Sequence, residues 1–398
     1  MLSQTLRRLP AILAGLGLIL SPIAEAGTLT PTGAVDPFIG TGGEGHTFPG
    51  AVAPFGMVQL SPDTDAECVI RKCYPHAAGY RFEDRTIQGF SMTHFSGAGH
   101  SDLGDFLVMP VSGDVVPLEP GDAAKPGSGY RSRFSHTSEV AGAGHYAVTL
   151  TDPGVRAEMT AGTRIGVQRY TFPKDKAAHL VFDLRSSLYN YPGKVSWSSI
   201  RLRPDGTITG GRETRGWAPG RKLFFAMRFS RPLVGHEFVN RETDVPYRGF
   251  KGPGRSGSDI AELKGRALVV RLDFGRLDAP LEVKVGISTV DEDGAIANLA
   301  SEPGNFDAIR YKTELAWDRA LSVLDVQADE AMQRTVYTAL YHSLMAPSVL
   351  SDADGRYRGP DDQIHKADGF TFLSTFSLLY TFRAEHPLLT IVQPPSTT

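Results

Sequence analysis

The sequence contains very little cysteine: its 398 residues include only Cys68 and Cys73. Two thiols exclude a four-cysteine zinc site and a disulfide-rich scaffold. The two cysteines stand five positions apart, so an oxidising compartment would permit one short-loop disulfide between them. Two separate thiols in a loop are the alternative.

An excess of basic charge is also missing. Lysine and arginine total 41 and aspartate and glutamate total 44, for a net charge of -3. The sequence therefore gives no reason to expect nucleic acid or an anionic membrane surface as a partner.

Long apolar runs are absent except for one near the N-terminus. The stretch Leu9–Leu20 is too short to span a bilayer, and Arg7 and Arg8 precede it. The small-x-small pattern of Ala24–Ala26 follows. These features predict a signal peptide over residues 1–26 and export to the periplasm or the extracellular space, with a retained N-terminal anchor as the alternative. We predict no later transmembrane segment.

The sequence has no GxSxG elbow, no phosphate-cradling P-loop and no dinucleotide fingerprint. It does have a stretch rich in glycine and aromatic residues, DPFIGTGGEGHTFPG, which begins at Asp36 and includes His46 and Phe48. Its glycines allow backbone angles that are closed to other residues. A loop that holds an imidazole and an aromatic ring in place suggests a binding surface. A tight connection between two strands is the alternative.

The middle of the chain has the two-residue period of β-strands. Apolar and polar residues alternate over Val155–Thr160 and over Leu281–Ser288. Further strands are predicted at His145–Leu150, Arg164–Phe172, His179–Asp183, Ser199–Arg203, Thr207–Gly210, Leu223–Phe229 and Ala267–Phe274. Many short strands at this spacing favour a β-sandwich. The run Tyr247–Ser258, rich in glycine, arginine and proline, is predicted to be a surface loop.

The period changes to that of helices near residue 291. Asn305 is a candidate helix cap, followed by apolar positions at Ile309, Ala316, Leu321 and Leu324. A second helix is predicted from Glu330 to Leu344, with Pro347 at or just beyond its end. Its expected buried stripe is Met332, Val336, Leu340 and Leu344. The predicted architecture is mainly β and then α, with a sandwich, a helical linker and a helical region.

Two polar clusters are candidates for chemistry. The first, between Gly89 and Pro110, contains His94, His100, Asp102 and Asp105, whose spacing fits no common zinc signature. It is interpreted as a sugar-contacting loop, with a metal site or a turn between strands as alternatives. The second, SDADGRYRGPDDQIHKADG from Ser351, has five aspartates that suggest calcium binding, but it lacks the spacing and the closing glutamate of an EF-hand. A solvated polar loop between helices is the other interpretation of that cluster.

Several long stretches occur in one order along the chain: VDPFIGTGGEGHTFPGAVAPFGMVQLSPDT, AAGYRFEDRTIQGFSMTHFSGAGHSDLGDFLVMP, YTALYHSLMAP, DADGRYRG and STFSLLYTFRAEHPLLTIVQP. Together they closely resemble glycoside hydrolase family 92, the calcium-dependent exo-α-mannosidases. The resemblance covers nearly the whole exported chain.

This resemblance implies a β-sandwich at residues 27–292, a helical linker at 293–328 and the start of an (α/α)6 catalytic toroid at 329–398. It implies an exported, inverting enzyme that releases terminal mannose from mannose-rich glycans such as N-glycans. The implied cofactor is calcium, which engages the sugar O2 and O3 hydroxyls. A general acid and a general base would stand far enough apart to admit a water molecule. The candidate substrate-binding residues are His46, Phe48, His94, His100 and Asp102.

Two local departures from the family pattern concern residues near the sugar. The family usually has Trp-Asp where this chain has Leu379 and Tyr380, and in the family that aspartate contacts the mannose. A tyrosine has no carboxylate for the sugar hydroxyls, so sugar binding at Tyr380 is in question. Met92 also stands where the family often has histidine.

The third departure is length, because family members continue for several hundred residues after the last matching stretch. The resemblance therefore predicts that the catalytic carboxylates and most calcium ligands lie beyond Thr398, that this chain alone is inactive, and that its incomplete helical domain self-associates. A non-catalytic carbohydrate-binding sandwich and an inactive gene fragment are the alternatives.

Overall fold

A computed structural model describes residues 29–65, 74–97, 102–242, 257, 261–374, 381 and 384–393. Within these residues, two antiparallel sheets stack face to face. Their strands are β1 Ala51–Val52, β2 Gln59–Asp63, β3 Thr86–Ile87, β4 Gly89–Ser91, β5 Leu107–Ser112, β6 Ser132–Arg133, β7 Val140–Gly142, β8 His145–Leu150, β9 Val155–Ala161, β10 Ile165–Thr171, β11 Ala177–Asp183, β12 Val195–Leu202, β13 Ile208–Thr214, β14 Arg221–Phe229, β15 Gly235–Asn240, β16 Glu262–Gly265, β17 Leu268–Arg276 and β18 Leu281–Ser288.

The smaller sheet has the order β1-β2-β4-β5-β11-β17-β15, and the larger sheet has the order β16-β12-β13-β14-β18-β10-β9-β8-β7. Strands β3 and β6 form a separate small ladder. Register follows the alternation of the sequence: Val283 and Val285 of β18 pair with Gln168 and Gly166 of β10, and both valines are buried. The predicted sandwich is therefore confirmed, and each predicted strand lies within or largely overlaps an observed one.

Aromatic rings join the two sheets across the core. Phe182 of the smaller sheet and Phe225 of the larger sheet lie 4.9 Å apart between ring centroids, and Phe106 contacts both rings. All three side chains are fully buried. Such a closely packed core makes the ends of the strands rigid supports for the loops that join them.

Five helices lie before and after the sandwich in the described residues: α1 Pro31–Ala34, α2 Glu292–Ser301, α3 Phe306–Leu321, α4 Glu330–Ser343 and α5 Glu385–Val392. Strands β19 Arg356–Arg358 and β20 Ile364–Lys366 form a hairpin between α4 and α5. The predicted cap of α3 is confirmed, because the Asn305 side chain accepts a hydrogen bond from the Ala308 amide.

Helices α2 and α3 pack on the larger sheet. Gly286 of β18 permits the approach of α2, since a Cβ atom there would lie 2.5 Å from the Ala295 carbonyl oxygen. Thr313 of α3 donates a hydrogen bond to the Ala161 carbonyl at the end of β9. Trp317, one turn later, donates to the Val52 carbonyl of the smaller sheet over 2.6 Å. Helix α3 therefore contacts both sheets.

The predicted buried stripe of α4 is wrong in part. Met332 is 52% exposed, whereas Tyr337 and Tyr341 are buried with Leu340. The physical reason is that the Tyr341 ring packs against Trp317 of α3, at 4.4 Å between centroids, which turns the helix toward its aromatic side. The helix also ends before Pro347, with Leu344 as its C-cap.

The polar run from Ser351 to Gly369 is not a plain loop, because β19 and β20 pair within it. In the part of the chain that the structure describes, no helix has both the length and the apolar content needed to span a bilayer. The predicted surface loop at 247–258 falls outside the described residues, apart from Gly257, which bridges to Phe238.

Candidate functional site

The glycine-rich loop closes on itself between Gly40 and Thr47. The Thr47 amide donates a hydrogen bond to the Gly40 carbonyl oxygen over 3.3 Å. Gly40 has a φ angle of +87°, and a Cβ atom at Gly45 would lie 2.2 Å from the Gly40 oxygen. Both positions therefore require glycine, and their close approach sets the direction in which the chain enters His46.

His46 occupies a position that bulky residues rarely adopt, with a φ angle of +53°. Its ring meets that of Tyr74 edge-on, at 4.4 Å between centroids, and its carbonyl accepts a hydrogen bond from the Gly97 amide. The residue is 7% exposed, and its Nε2 atom has no hydrogen-bond partner among the described residues. Buried polar atoms normally have one. Nε2 is therefore a buried polar atom of this loop whose hydrogen-bonding capacity the described residues leave unused.

Phe48 does not face the solvent. It is fully buried in a hydrophobic cluster that also contains Val52 of the sandwich, Trp317 of α3 and Tyr341 of α4. Its ring also lies 5.3 Å from that of His94. Phe48 thus fixes the loop to both the sandwich and the helices, and it positions His46 from two residues away.

His94 lies inside the sandwich with both ring nitrogens bonded. Nδ1 is 2.7 Å from the carbonyl oxygen of Gln59, and Nε2 is 2.9 Å from Oδ1 of Asp63. Because a carbonyl oxygen only accepts, Nδ1 carries a hydrogen. Nε2 faces the Asp63 carboxylate and also lies 3.2 Å from Oγ of Ser91. This side chain is fully enclosed, and it offers no open nitrogen to a sugar.

Gly79 covers this buried pair. Its φ angle is +86°, and a Cβ atom there would lie 2.2 Å from Oδ1 of Asp63 and 3.0 Å from the His94 ring. Only glycine therefore lets the backbone close over the pair.

Asp102 lies under the turn that joins β13 to β14. Its carboxylate accepts a hydrogen bond from the Ala218 amide over 3.2 Å, and it lies 3.1 Å from Nζ of Lys194. Burial lowers the pKa of Lys194, while Asp102 opposes that effect. Asp102 therefore holds two loops together from a buried position.

Asp105 forms a second buried ion pair nearby. It accepts hydrogen bonds from Arg212 at 2.8 Å and from Thr93 at 2.5 Å, and Arg221 lies at 2.7 Å. Burial alone would raise its pKa, but Arg221 and Arg212 hold the pKa of this carboxyl well below its usual range. The cluster between Gly89 and Pro110 is thus largely a structural network in its described part.

Asp352 in the second polar cluster is also buried, and it connects the hairpin region to the sandwich. Ser288 at the end of β18 donates to Oδ2 over 2.6 Å, and Asn298 of α2 donates to Oδ1 over 2.7 Å. Burial raises the pKa of Asp352 to about 6. Farther along, Asp362 forms an ion pair with Lys222 of β14 at 2.6 Å.

Four predicted positions fall outside the described residues: His100, Cys68, Cys73 and Tyr380. Sugar contact by His100, the disulfide and the effect of Tyr380 therefore remain predictions.

The described residues do not fit a metal ion. Among them, no three histidine, cysteine, aspartate or glutamate side chains come close enough together to form a ligand set. Asp102 and Asp105 face lysine and arginine instead. We therefore assign no step to calcium in this part of the chain.

The partners of His94 are residues that sequence reasoning missed. Gln59 and Asp63 stand in QLSPDT, a stretch quoted only as part of a longer motif. Gln59 and Asp63 are both buried in β2 although polar. A polar residue at each end of a short strand is the signal that could have indicated a buried hydrogen-bond network.

Two family models match consecutive parts of this chain. The model of the Glycosyl hydrolase family 92 N-terminal domain matches residues 34–288, and that of the family 92 catalytic domain matches residues 294–398. The chain belongs to glycosyl hydrolase family 92. The structural break between β18 and α2 falls where the first match ends and the second begins.

Solved structures of family 92 members have the same fold. An α-mannosidase of the family from Bacteroides thetaiotaomicron is 40% identical, with a TM-score of 0.81 over 91% of this chain and 47% of that protein. Another family 92 glycosyl hydrolase is 27% identical, with a TM-score of 0.77 over 90% of this chain and 47% of that protein.

A curated relative comes from Arthroderma benhamiae and is described as an uncharacterized secreted glycosidase. It is 25% identical over 372 residues, which are 87% of this chain and 45% of that protein. The chain therefore spans a little under half the length of these family 92 relatives.

Proposed function

We propose that this chain acts in an α-mannosidase, an inverting exo-glycosidase that removes terminal mannose from mannose-rich glycans such as N-glycans. The observation that carries the proposal is the 40% identity with a family 92 α-mannosidase across 91% of this chain, on the same fold. Such identity over a shared sandwich and helical region supports a shared class of reaction more strongly than fold alone would.

The sandwich contributes the His46 loop to sugar recognition. Nε2 of His46 is buried and unpaired within the described residues, so a sugar hydroxyl would satisfy it. The Tyr74 ring beside it is about half exposed and offers an apolar face. Phe48, His94 and Asp102 act as positioning residues, because each is buried and bonded or packed inside the protein.

Calcium enters this proposal only through the family. Bound calcium would supply positive charge that helps to hold the sugar hydroxyls. The described residues contain no cluster of three or more potential ligand side chains for it. A dependence on calcium therefore has to be measured on the protein.

Mannose release from a panel of α-mannobioses, with and without calcium, tests the proposed reaction. The protein must be free of host mannosidases, and the matched variants are His46→Ala and His365→Ala. We expect no release from this chain alone, as the resemblance predicts, and release that a chelator abolishes from the α-mannosidase in which it acts. In that enzyme His46→Ala should raise the substrate concentration needed at least tenfold, and the exposed His365→Ala should leave it unchanged. Mannose binding without release would instead favour a non-catalytic binding module, and the absence of both would favour an inactive fragment.

Export belongs to the same proposal. The predicted signal peptide over residues 1–26 implies an exported protein whose mature chain begins at Gly27. N-terminal sequencing of the protein recovered from the periplasm or medium tests this, and an intact Met1 in the exported protein would contradict it.

We also propose that the helical region self-associates. Ile391 of α5 is 75% exposed, and Phe370 and Met332 are largely exposed apolar side chains in the same region. Exposed apolar groups of this size favour association. Light scattering at increasing protein concentration tests this, with a constant monomer mass as the contrary outcome.

A further inference from the structure

A cavity of ≈ 450 Å³ opens at the end of the sandwich. Its size is within the range of small-molecule sites. It lies where β11 and β15 end and where β12 and β17 begin. The residues that line the cavity include Asn190, Tyr191, Arg241, Glu242 and Arg266.

A rigid turn carries the aromatic residue of this cavity. Tyr191, Pro192, Gly193 and Lys194 form a β-turn in which the Lys194 amide donates to the Tyr191 carbonyl over 3.0 Å. Gly193 has a φ angle of +87°, and proline before such a glycine is the pattern of a type II turn. The turn needs the backbone of Tyr191 and not its side chain.

The buried Lys194 side chain anchors the turn from beneath. Its ammonium donates to the Leu188 carbonyl over 2.6 Å and pairs with Asp102 at 3.1 Å. The position of Tyr191 is therefore fixed before any ligand arrives, which lowers the entropy that binding would cost.

The cavity lining contains three arginines and one glutamate, and each arginine has a carboxylate partner. The hydrogen bonds from Arg266 hold the pKa of Glu242 below its ordinary value, and Arg241 pairs with Glu119 at 3.4 Å. Among the described residues, none bonds to the Asn190 side-chain amide. The walls thus present both donors and acceptors to a ligand.

This balance selects the chemical class of ligand. Each guanidinium of the lining already faces a carboxylate: Arg185 pairs with Asp183, Arg241 with Glu119, and Arg266 with Glu242. An anion would therefore meet as much repulsion as attraction. A neutral polyol accepts and donates hydrogen bonds alike and can stack on Tyr191.

The residues that support the cavity lie near the His46 loop along the chain. Gly97 donates a hydrogen bond to the His46 carbonyl, and Asp102 pairs with Lys194 and accepts a hydrogen bond from the Ala218 amide. Gly97 and Asp102 are five positions apart, so their Cα atoms lie no more than roughly 18 Å apart.

We propose that this cavity is a second carbohydrate-binding site, which holds a neutral sugar unit of the glycan whose terminal mannose the enzyme removes. The inference rests on the proposed function, since it takes the glycan from it. Tyr191 stacks on the sugar ring, and Asn190 and Glu242 bond its hydroxyl groups.

Calorimetric titration with α-mannotriose tests the site, using His46→Ala protein so that the loop site is weakened. We expect saturable binding that Tyr191→Ala weakens about tenfold, consistent with the loss of a stacking interaction, and that Tyr191→Phe retains. Asn190→Ala should also weaken it. The matched control is Tyr311→Ala, an exposed tyrosine of α3, which should leave the affinity unchanged.

Three results would overturn the proposal. They are no saturable binding of α-mannotriose, an affinity that neither Tyr191→Ala nor Asn190→Ala changes, and binding of inorganic sulfate at least as tight as that of the sugar. Unfolding transitions of each variant confirm that the turn remains intact. Mannobiose hydrolysis without cavity binding would reject this site alone, and cavity binding without hydrolysis would reject the proposed reaction alone.

Discussion

The His94 and Asp63 side chains form an ion pair that is almost completely shielded from water, with 2.9 Å between Nε2 and Oδ1. A buried pair of this kind contributes little net stability when intact but costs a great deal when one partner is lost. The pair also lies against Phe48, so its loss reaches the His46 loop.

We predict that His94→Ala destabilises the protein by about 3–5 kcal/mol, because it leaves the Asp63 carboxylate buried without its partner. The free energy of unfolding from urea denaturation measures this. His365→Ala is the matched control, since His365 and Asp361 form an exposed pair whose loss should change the unfolding free energy far less. Equal losses in the two variants would contradict the buried-pair interpretation.

Because of Asp352, we predict that the free energy of unfolding depends on pH with the opposite sign to that expected for an ordinary carboxylate. Burial raises its folded-state pKa from 3.8 to about 6, so folding increases its affinity for a proton. Its contribution to stability is complete below pH 4 and is lost as the pH rises through 6. Between pH 7 and pH 5, the wild type should gain about 1 kcal/mol of unfolding free energy relative to Asp352→Asn. Urea denaturation of both proteins at both pH values measures this, and a constant difference between them would contradict it.

The sequence did not predict which histidine has both ring nitrogens bonded and which has a nitrogen without a partner among the described residues. His46 and His94 both follow glycine-rich or aromatic stretches and had equal standing as sugar ligands. The difference comes from Gln59 and Asp63, which bond the two ring nitrogens of His94. Both residues lie more than 30 positions before His94. Local patterns carry no information on such distant partners.

Trp317 is one of the residues that attach helix α3 to the sandwich. Trp317 is fully buried, donates to the Val52 carbonyl and packs on Tyr341 of α4. Trp317→Ala should therefore cost about 3–5 kcal/mol, the range for large aromatic truncations in cores. Chemical denaturation measures the change.

The matched control for this prediction is Trp217→Ala. Trp217 lies in the turn between β13 and β14 and is 79% exposed, so its truncation should change the unfolding free energy by less than about 0.5 kcal/mol. A loss for Trp217→Ala similar to that for Trp317→Ala would show that burial does not explain the difference.

The elements themselves differed in how well sequence predicted them. Strands such as β8 and β18 were predicted to their ends, because period-two alternation sets both the strand and its buried face. The buried side of α4 was not predicted correctly, because the hydroxyl groups of Tyr337 and Tyr341 suggest exposed positions. Only the contact between Trp317 and Tyr341 in the folded protein identifies that side as buried. Amphipathic patterns identify a helix more reliably than they identify its partner.

In the molecule as a whole, the sandwich and the helices share one hydrophobic cluster. Phe48 and Val52 from the sandwich side pack with Trp317, Tyr341 and Leu344 from the helical side. A shared core couples the stability of the two regions, because neither can open without exposing it.

We therefore predict one cooperative unfolding transition for the described sandwich and helices. Far-ultraviolet circular dichroism and tryptophan fluorescence should give the same midpoint, and Phe48→Ala should lower both midpoints together. Val115→Ala, at an exposed position, is the control and should move neither. Two separated transitions would contradict the coupling.

The sequence by itself determined the sandwich, the helical cap at Asn305 and the family, because alternation, capping chemistry and long ordered motifs are local properties of the chain. Only the tertiary structure decided that a nitrogen of His46 has no partner among the described residues, that His94 and Phe48 are buried supports, and that Tyr191 lines a cavity. The physical reason is that burial and hydrogen bonding depend on residues distant in sequence, which come together only when the two sheets and the helices pack.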